Sequence, residues 1–180
     1  MWTFGILGKL DEIENETSRF YAYIGLCVST SAGIEYYLFH CFRSASPLDE
    51  NAAIKEFYKN VKFQRKRELA DAAVRRIVSG TTKKMWDEII EEVQRLCGPD
   101  GARNLVSHND VGVDLFLPKQ GVEKPPHLEM SVQQNKYMVA AGLRDPKRTT
   151  LESLRLYAGG LSSVHLRLID FYQTHLANRK

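Results

Sequence analysis

Apolar side chains recur every three or four residues along most of this chain, which is the spacing of one face of an α-helix. The first stripe begins at Ile13 and predicts a very long first helix; it continues through Thr17, Phe20, Ile24, Cys27, Ser31, Ile34, Leu38 and Phe42. Pro47 ends this helix, and Asp49 is suited to cap the next one. A similar stripe predicts a long final helix beginning near Thr149 or Thr150, with Leu151, Leu154, Ala158, Leu161, His165, Leu168 and Tyr172 on its inner face.

Shorter helices are predicted between these two. Residues 50–79 form a second helix, either continuous or with one break, whose predicted inner face is Ile54, Tyr58, Val61, Leu69, Ala72 and Ala73. Its predicted outer face is basic and consists of Lys59, Lys62, Arg65, Lys66, Arg67, Arg75 and Arg76. Gly80 is suited to end this helix.

A third helix is predicted next, and it ends at Gly98-Pro99; its apolar face consists of Trp86, Ile89, Ile90, Val93 and Leu96. Asp100 then suits the cap of a short fourth helix over 101–109.

Residues 111–146 differ from the rest, because glycines, prolines and short alternating runs replace the helical spacing. They predict a loop or a small hairpin. No repeat or low-complexity tract divides the 180 residues. The chain is therefore predicted to be a single all-α domain over 1–180: a bundle of about five helices, with two long terminal helices and an irregular insert near 111–146.

Composition adds limits on location and chemistry. The net charge of +3 permits contact with a polyanion without requiring it. Three cysteines in apolar helical patterns, without zinc-site spacing, predict reduced buried thiols in a cytoplasmic protein, and no signal peptide is recognisable. Residues 20–42 are long enough to span a bilayer, but they contain Glu35, His40 and several hydroxyl side chains. A buried core helix is therefore predicted there instead of a membrane span.

The stretch "RNLVSH", from Arg103 to His108, carries the candidate chemistry. An arginine remains charged and suits a phosphate, and a histidine titrates near neutrality and can move a proton. RNA brings its own nucleophile, the 2′-hydroxyl, so cleavage needs proton removal there, charge stabilisation on phosphate and proton donation to the 5′-oxygen. One arginine and one histidine supply two of these three roles without a metal. On a regular helix the two side chains lie about 140° apart, so the helix end is irregular or a second copy completes the site.

An Arg-Asn pair followed by three residues and a histidine, after the third helix of a bundle, resembles the signature of the HEPN superfamily. That resemblance implies a metal-independent endoribonuclease of the toxin or phage-defence type, working as a homodimer that joins two motifs, with no cofactor. It implies Arg103 and His108 as catalytic residues and Asn104 as a residue that orients them or contacts RNA. Glu35 is the candidate for an assisting polar residue on an earlier helix. One subgroup carries a tyrosine two residues after the histidine and is paired with an antitoxin; Asp110 stands there in this chain, so that modification is not inferred, although an antitoxin or regulatory protein remains a possible partner.

Alternative interpretations stay open for each feature. Lys62, Arg65, Lys66 and Arg67 are predicted either to follow an RNA backbone or to form a solvated face. Glu35 has the alternative of an ion pair with a neighbouring base. His40, His165 and His175 lie on or beside apolar faces and are predicted to be satisfied core or interface groups, and no metal site is predicted. The alternative function is a non-catalytic helical module that binds a protein or RNA partner.

Overall fold

The computed structural model describes the backbone of residues 4–98, 110–116, 127–133 and 148–179, with side chains for 15–98, 132 and 149–179. The elements in chain order are α1 (Phe4–Ala45), α2 (Glu50–Tyr58), α3 (Phe63–Arg75), α4 (Gly80–Cys97), β1 (Asp110–Phe116), β2 (His127–Gln133), β3 (Arg148–Thr150) and α5 (Leu151–His175). The predicted helical bundle with a long helix near each end is confirmed. The short helix predicted over 101–109 lies outside the described residues.

The two long helices lie side by side and run in the same direction. Phe20 near the start of the shared stretch packs with Leu154, and further along both helices Tyr37 contacts Tyr172. The predicted apolar stripes lie in the core, where their largest fully buried side chains are Phe20, Ile34, Leu38, Leu154, Leu161 and Leu168. Phe171 is also fully buried, although the predicted stripe has Tyr172 in its place, and Tyr172 is half-buried. Each such side chain stabilises the fold by about 1.5–3 kcal/mol through burial. α3 packs on α1 and α4 packs on α5, which closes the bundle.

The predicted second helix is two helices, α2 and α3, separated by residues 59–62. The predicted inner face is therefore largely wrong: Ile54, Tyr58 and Val61 are exposed, and Val61 is 92% exposed. The buried positions are instead Ala53, Phe57, Phe63, Lys66, Ala70, Ala73 and Val74. Within α2, Ala53 with Phe57 and Ile54 with Tyr58 are both apolar pairs at helical spacing, and the first pair is the buried one. Beyond residues 59–62, α3 begins at a new rotation, so a stripe extrapolated across the break loses its phase.

α4 has the inner face that the sequence predicts, with Trp86 fully buried against Phe171 of α5. The indole Nε1 of Trp86 also donates a hydrogen bond of 2.9 Å to Asp71 of α3. The prediction that Gly80 ends the preceding helix is wrong. Gly80 is instead the first residue of α4, with a φ of 55°. That left-handed conformation costs an L side chain roughly 1–2 kcal/mol, which explains glycine at this junction.

A small antiparallel sheet occupies part of the segment predicted as a loop or hairpin. Its strand order is β1-β2-β3, with Asp110 opposite Gln133 and Gln133 opposite Arg148. Val132 of β2 is buried with Phe20 and Leu154, so the sheet covers the end of the bundle where α5 begins. β3 leads directly into α5, and Thr150 caps that helix by accepting a hydrogen bond from the backbone N–H of Ser153.

Among the helices that the structure describes, none combines the length and the apolar character that crossing a bilayer requires. Residues 20–34 of α1 nevertheless contain no charged side chain. Part of this uncharged stretch faces outward, where Tyr21, Leu26 and Val28 are each about half exposed.

Candidate functional site

The residues of the arginine–histidine motif, Arg103, Asn104 and His108, lie outside the described part of the chain. What the structure does describe is the chain on both sides of them. α4 ends at Cys97, with Gly98 as its C-cap, and β1 begins at Asp110. The motif therefore belongs to a connection between α4 and the small sheet.

The C-terminal turns of α4 are fixed by contacts with two other helices. Leu96 packs against Gly160, in the first half of α5, where a Cβ on the glycine would lie 3.3 Å from the leucine side chain. On the other side, Arg67 of α3 donates a hydrogen bond of 2.5 Å from Nη1 to Oε1 of Gln94. The start of α3 and the first half of α5 thus flank the point at which the chain leaves α4 toward the motif.

The C-terminal end of this connection leads into strand β1 of the sheet. Asp110, the first residue of β1, pairs with Gln133, which pairs in turn with Arg148 immediately ahead of α5. Partners in an antiparallel ladder have Cα atoms about 4.5–5.5 Å apart. Both ends of the connection that carries the motif are consequently attached to the same end of the bundle, where α5 begins.

Two of the four predicted RNA-binding residues are fully available on the surface at the start of α3. Lys62 occupies the N-cap position and is exposed, and it forms no ion pair with another described residue. Arg65 keeps 70% of its side chain exposed and pairs with Glu68 at 2.9 Å. Arg67 is half-buried by its contact with Gln94. Of these three cations, Arg67 is the one that contacts the C-terminal end of α4, whereas Lys62 and Arg65 are exposed at the start of α3.

Lys66 does not belong to this exposed surface, so the expectation that it lies on the outer basic face is wrong. Only 8% of the residue is exposed, and its Nζ lies 2.5 Å from Oε1 of Glu35 on α1. The ammonium group also lies 5.1 Å from the ring centroid of Tyr58 and 5.9 Å from that of Phe57. Burial of a charge is costly unless it is paired, and Glu35 supplies the pair. The alternative of an ion pair for Glu35 is therefore the observed arrangement.

A cluster of aromatic and histidine rings fills the seam between α1 and α5. Tyr37 contacts His165 and Tyr172, and His40 contacts Tyr172 at a centroid distance of 5.4 Å. Nδ1 of His40 and Nε2 of His165 are buried without a hydrogen-bond partner among the described residues, so the expectation of satisfied histidines is wrong for these two atoms. Burial lowers the pKa of both histidines, with Arg43 lowering that of His40 further against a smaller opposing effect of Glu50.

The three cysteines are free and buried, as predicted. Burial raises the pKa of the Cys27 thiol to about 11 and also raises that of Cys41. A thiol that stays protonated at neutral pH is a poor nucleophile, so neither Cys27 nor Cys41 is a catalytic candidate.

Sequence analysis misses two exposed tyrosines beside the basic residues of α2 and α3. Tyr36 of α1 is 53% exposed and Tyr58 of α2 is 45% exposed. Ile54 and Tyr58 have the same helical spacing as Ala53 and Phe57, and the structure buries the second of these pairs. Spacing alone does not distinguish the two pairs, so it does not identify Tyr58 as exposed.

No protein-family model, no curated protein and no solved structure matches this chain.

Proposed function

We propose that this protein is a metal-independent endoribonuclease that cleaves RNA through the 2′-hydroxyl of the nucleotide at the cut site. The observation that carries the proposal is the stretch "RNLVSH" in the connection between α4 and β1 of a helical bundle. This combination is the one that resembles the HEPN superfamily. Arg103 and His108 are the catalytic residues, and Asn104 orients them or contacts RNA.

The chemistry follows from the two residue types. His108 accepts the proton of the 2′-hydroxyl, O2′ forms a bond to phosphorus, and the bond from phosphorus to O5′ breaks. The guanidinium of Arg103 stabilises the additional negative charge on the phosphate oxygens through paired hydrogen bonds. O5′ takes a proton as it leaves. The products are a 2′,3′-cyclic phosphate and a free 5′-hydroxyl, and no metal is needed for any step.

The exposed cations at the start of α3 provide a path for the substrate. The hydrogen bond from Arg67 to Gln94 places this arginine at the last turn of α4, and Lys62 and Arg65 are exposed at the start of the same α3 helix. In this proposal the phosphate backbone passes over these side chains on its way to the motif. Lys66 has no part in this path, because its charge is already neutralised by Glu35 inside the protein.

A second copy of the chain completes the site in this proposal. Two protons move during cleavage, and the motif of one chain offers one histidine; His108 of a second copy supplies the donor for O5′. We place the contact on the uncharged outer face of α1, where Tyr21 and Val28 are exposed two turns apart. Apolar surface without charges is typical of the centre of homodimer interfaces.

The biological setting proposed with this activity is a cytoplasmic toxin or phage-defence nuclease that is inhibited by an antitoxin or another regulatory protein.

A second candidate function is a non-catalytic helical module. The exposed apolar residues Leu156 and Leu166 of α5 favour it, because they offer binding surface that the nuclease proposal does not use. An RNase assay with wild type and with His108→Ala separates the two functions, since a binding module retains its partner affinity and has no cleavage to lose.

A further inference from the structure

The outer surface where α1 meets α2 combines exposed aromatic rings with cations. Tyr36 of α1 and Tyr58 of α2 each present about half of their surface to solvent. Lys55, Lys59 and Lys62, on and just after α2, are exposed around them. Lys59 pairs with Glu56, whereas Lys55 and Lys62 form no ion pair with another described residue.

Tyr58 is held in place from beneath by charged and aromatic groups. The Lys66 ammonium lies 5.1 Å from its ring centroid, and the ring of Phe39 lies 5.2 Å away. Both supporting residues are buried. The Tyr58 ring is therefore already ordered before a partner binds. Stacking of a partner on this ring costs little conformational entropy of the tyrosine side chain.

Tyr36 lies near enough to Tyr58 for its phenol to influence the pKa of Tyr58, and it is also supported by rings. It contacts His40 at 4.3 Å and Tyr37 at 5.4 Å between centroids. Burial, followed by the nearby Glu35 carboxylate and the Tyr36 phenol, raises the pKa of Tyr58, so that phenol stays uncharged at neutral pH. An uncharged ring beside lysines suits an anion whose polar backbone alternates with flat apolar groups.

We infer that Tyr36 and Tyr58 form a stacking platform for the unpaired bases of single-stranded RNA, with Lys55 and Lys62 contacting the adjacent phosphates. Base stacking on aromatic side chains with flanking cations is the general means of holding single strands without sequence preference. The inference rests on the proposed function, which requires RNA as the ligand, and deepens it by naming the class of RNA. Lys62 and Arg65 extend the exposed basic surface from the end of α2 to the start of α3.

The test uses a short, fluorescently labelled oligouridine with 2′-O-methyl groups throughout, which binds but cannot be cleaved through its 2′-oxygens. Its affinity is measured by anisotropy for wild type, Tyr36→Leu and Tyr58→Leu, with Tyr36→Phe and Tyr58→Phe as matched controls that keep the rings. Each leucine variant is expected to weaken binding about tenfold. The phenylalanine variants should bind like wild type, and the salt dependence of binding should remain unchanged in all four, since no phosphate contact is removed.

A second ligand, an RNA duplex of the same length, distinguishes stacking from a general effect on the fold. Duplex bases are already stacked, so the leucine substitutions should leave duplex affinity unchanged. Equal losses for duplex and single strand, or leucine variants that bind the single strand like wild type, would overturn the platform while leaving the nuclease proposal in place. Failure of the wild-type protein to bind or cleave any RNA would instead overturn the proposed function, and the platform with it.

Discussion

The imidazole ring of His165 lies directly against the backbone of Gly33, in the seam where α5 meets α1. A Cβ at position 33 would stand 2.6 Å from Cε1 of the histidine and 2.7 Å from its Nε2. The ring is held there by Tyr37, whose centroid is 5.6 Å away. Glycine at this point of a long helix therefore permits the close approach of the two longest helices of the bundle.

Gly33→Ala should destabilise the protein by about 1–2 kcal/mol, because steric overlap with His165 outweighs the gain in helix propensity. Gly159→Ala of α5 is the matched control: among the described residues a Cβ there would meet no side chain of another element within 4 Å, and the substitution should stabilise the fold by about 0.5–1 kcal/mol. Urea denaturation measures both. In a His165→Ala background, Gly33→Ala should lose most of its destabilising effect, and equal stabilisation by Gly33→Ala and Gly159→Ala would contradict the close contact.

The same seam should make stability depend on pH below neutrality. Burial lowers the pKa of His40 and His165 in the folded protein relative to 6.5, so the unfolded chain binds more protons between the folded and unfolded pKa values. The free energy of unfolding should then be greatest above about pH 6.5 and fall as the pH drops below it. Denaturation curves between about pH 5 and pH 7.5 measure this slope. The double variant His40→Leu with His165→Leu should have a smaller slope than wild type, and an unchanged slope would mean that other groups cause it.

Removing charge at the start of α3 should weaken RNA binding and reduce its salt dependence. The double variant Lys62→Gln with Arg65→Gln is expected to lower the slope of log K against log salt by about 1.4 for single strands, or about 0.7 for each lost phosphate contact. Lys83→Gln with Lys84→Gln is the matched control, because both lysines lie at the opposite end of α4. Equal effects of the two double variants would indicate general attraction by net charge instead of a defined path.

Dimer formation should depend on the uncharged outer face of α1. Light scattering is expected to give twice 20.6 kDa for wild type and 20.6 kDa for Val28→Glu, in which a carboxylate would be buried at the contact. Leu166→Glu places the same charge at an exposed apolar position of α5 and should remain dimeric. A wild type of 20.6 kDa at micromolar concentration would count against a site built from two copies, and a dimeric Val28→Glu would place the contact elsewhere.

The buried face of a helix can be predicted from the sequence where one uninterrupted helix carries one stripe of apolar residues. The faces of α1, α4 and α5 follow from spacing alone, because each such helix keeps its rotation from end to end. The face of α2 and α3 does not, since Val61 lies in the break between them and α2 buries Ala53 and Phe57 instead of Ile54 and Tyr58.

The burial of Lys66 illustrates a second limit. A lysine flanked by Arg65 and Arg67 has the pattern of a solvated basic face, and its partner Glu35 lies 31 residues earlier in the chain. Only the packing of α3 on α1 brings these charges together. The candidate chemistry is different again: Arg103 and His108 are identified from their residue types and spacing, and their roles remain predictions.

The most direct test of the proposed nuclease is cleavage of a single-stranded RNA, in EDTA, compared with the same strand carrying one 2′-deoxyribose at the cut site. Wild type is expected to cleave the unmodified strand to a 2′,3′-cyclic phosphate and to leave the deoxy strand intact. His108→Ala and Arg103→Ala should each lose about a hundredfold or more in rate while keeping their helical content, and Arg103→Lys should recover only part of it, because an ammonium group cannot form the paired hydrogen bonds of a guanidinium. Cleavage of the deoxy strand at the modified position, or complete dependence on a divalent metal, would contradict the account.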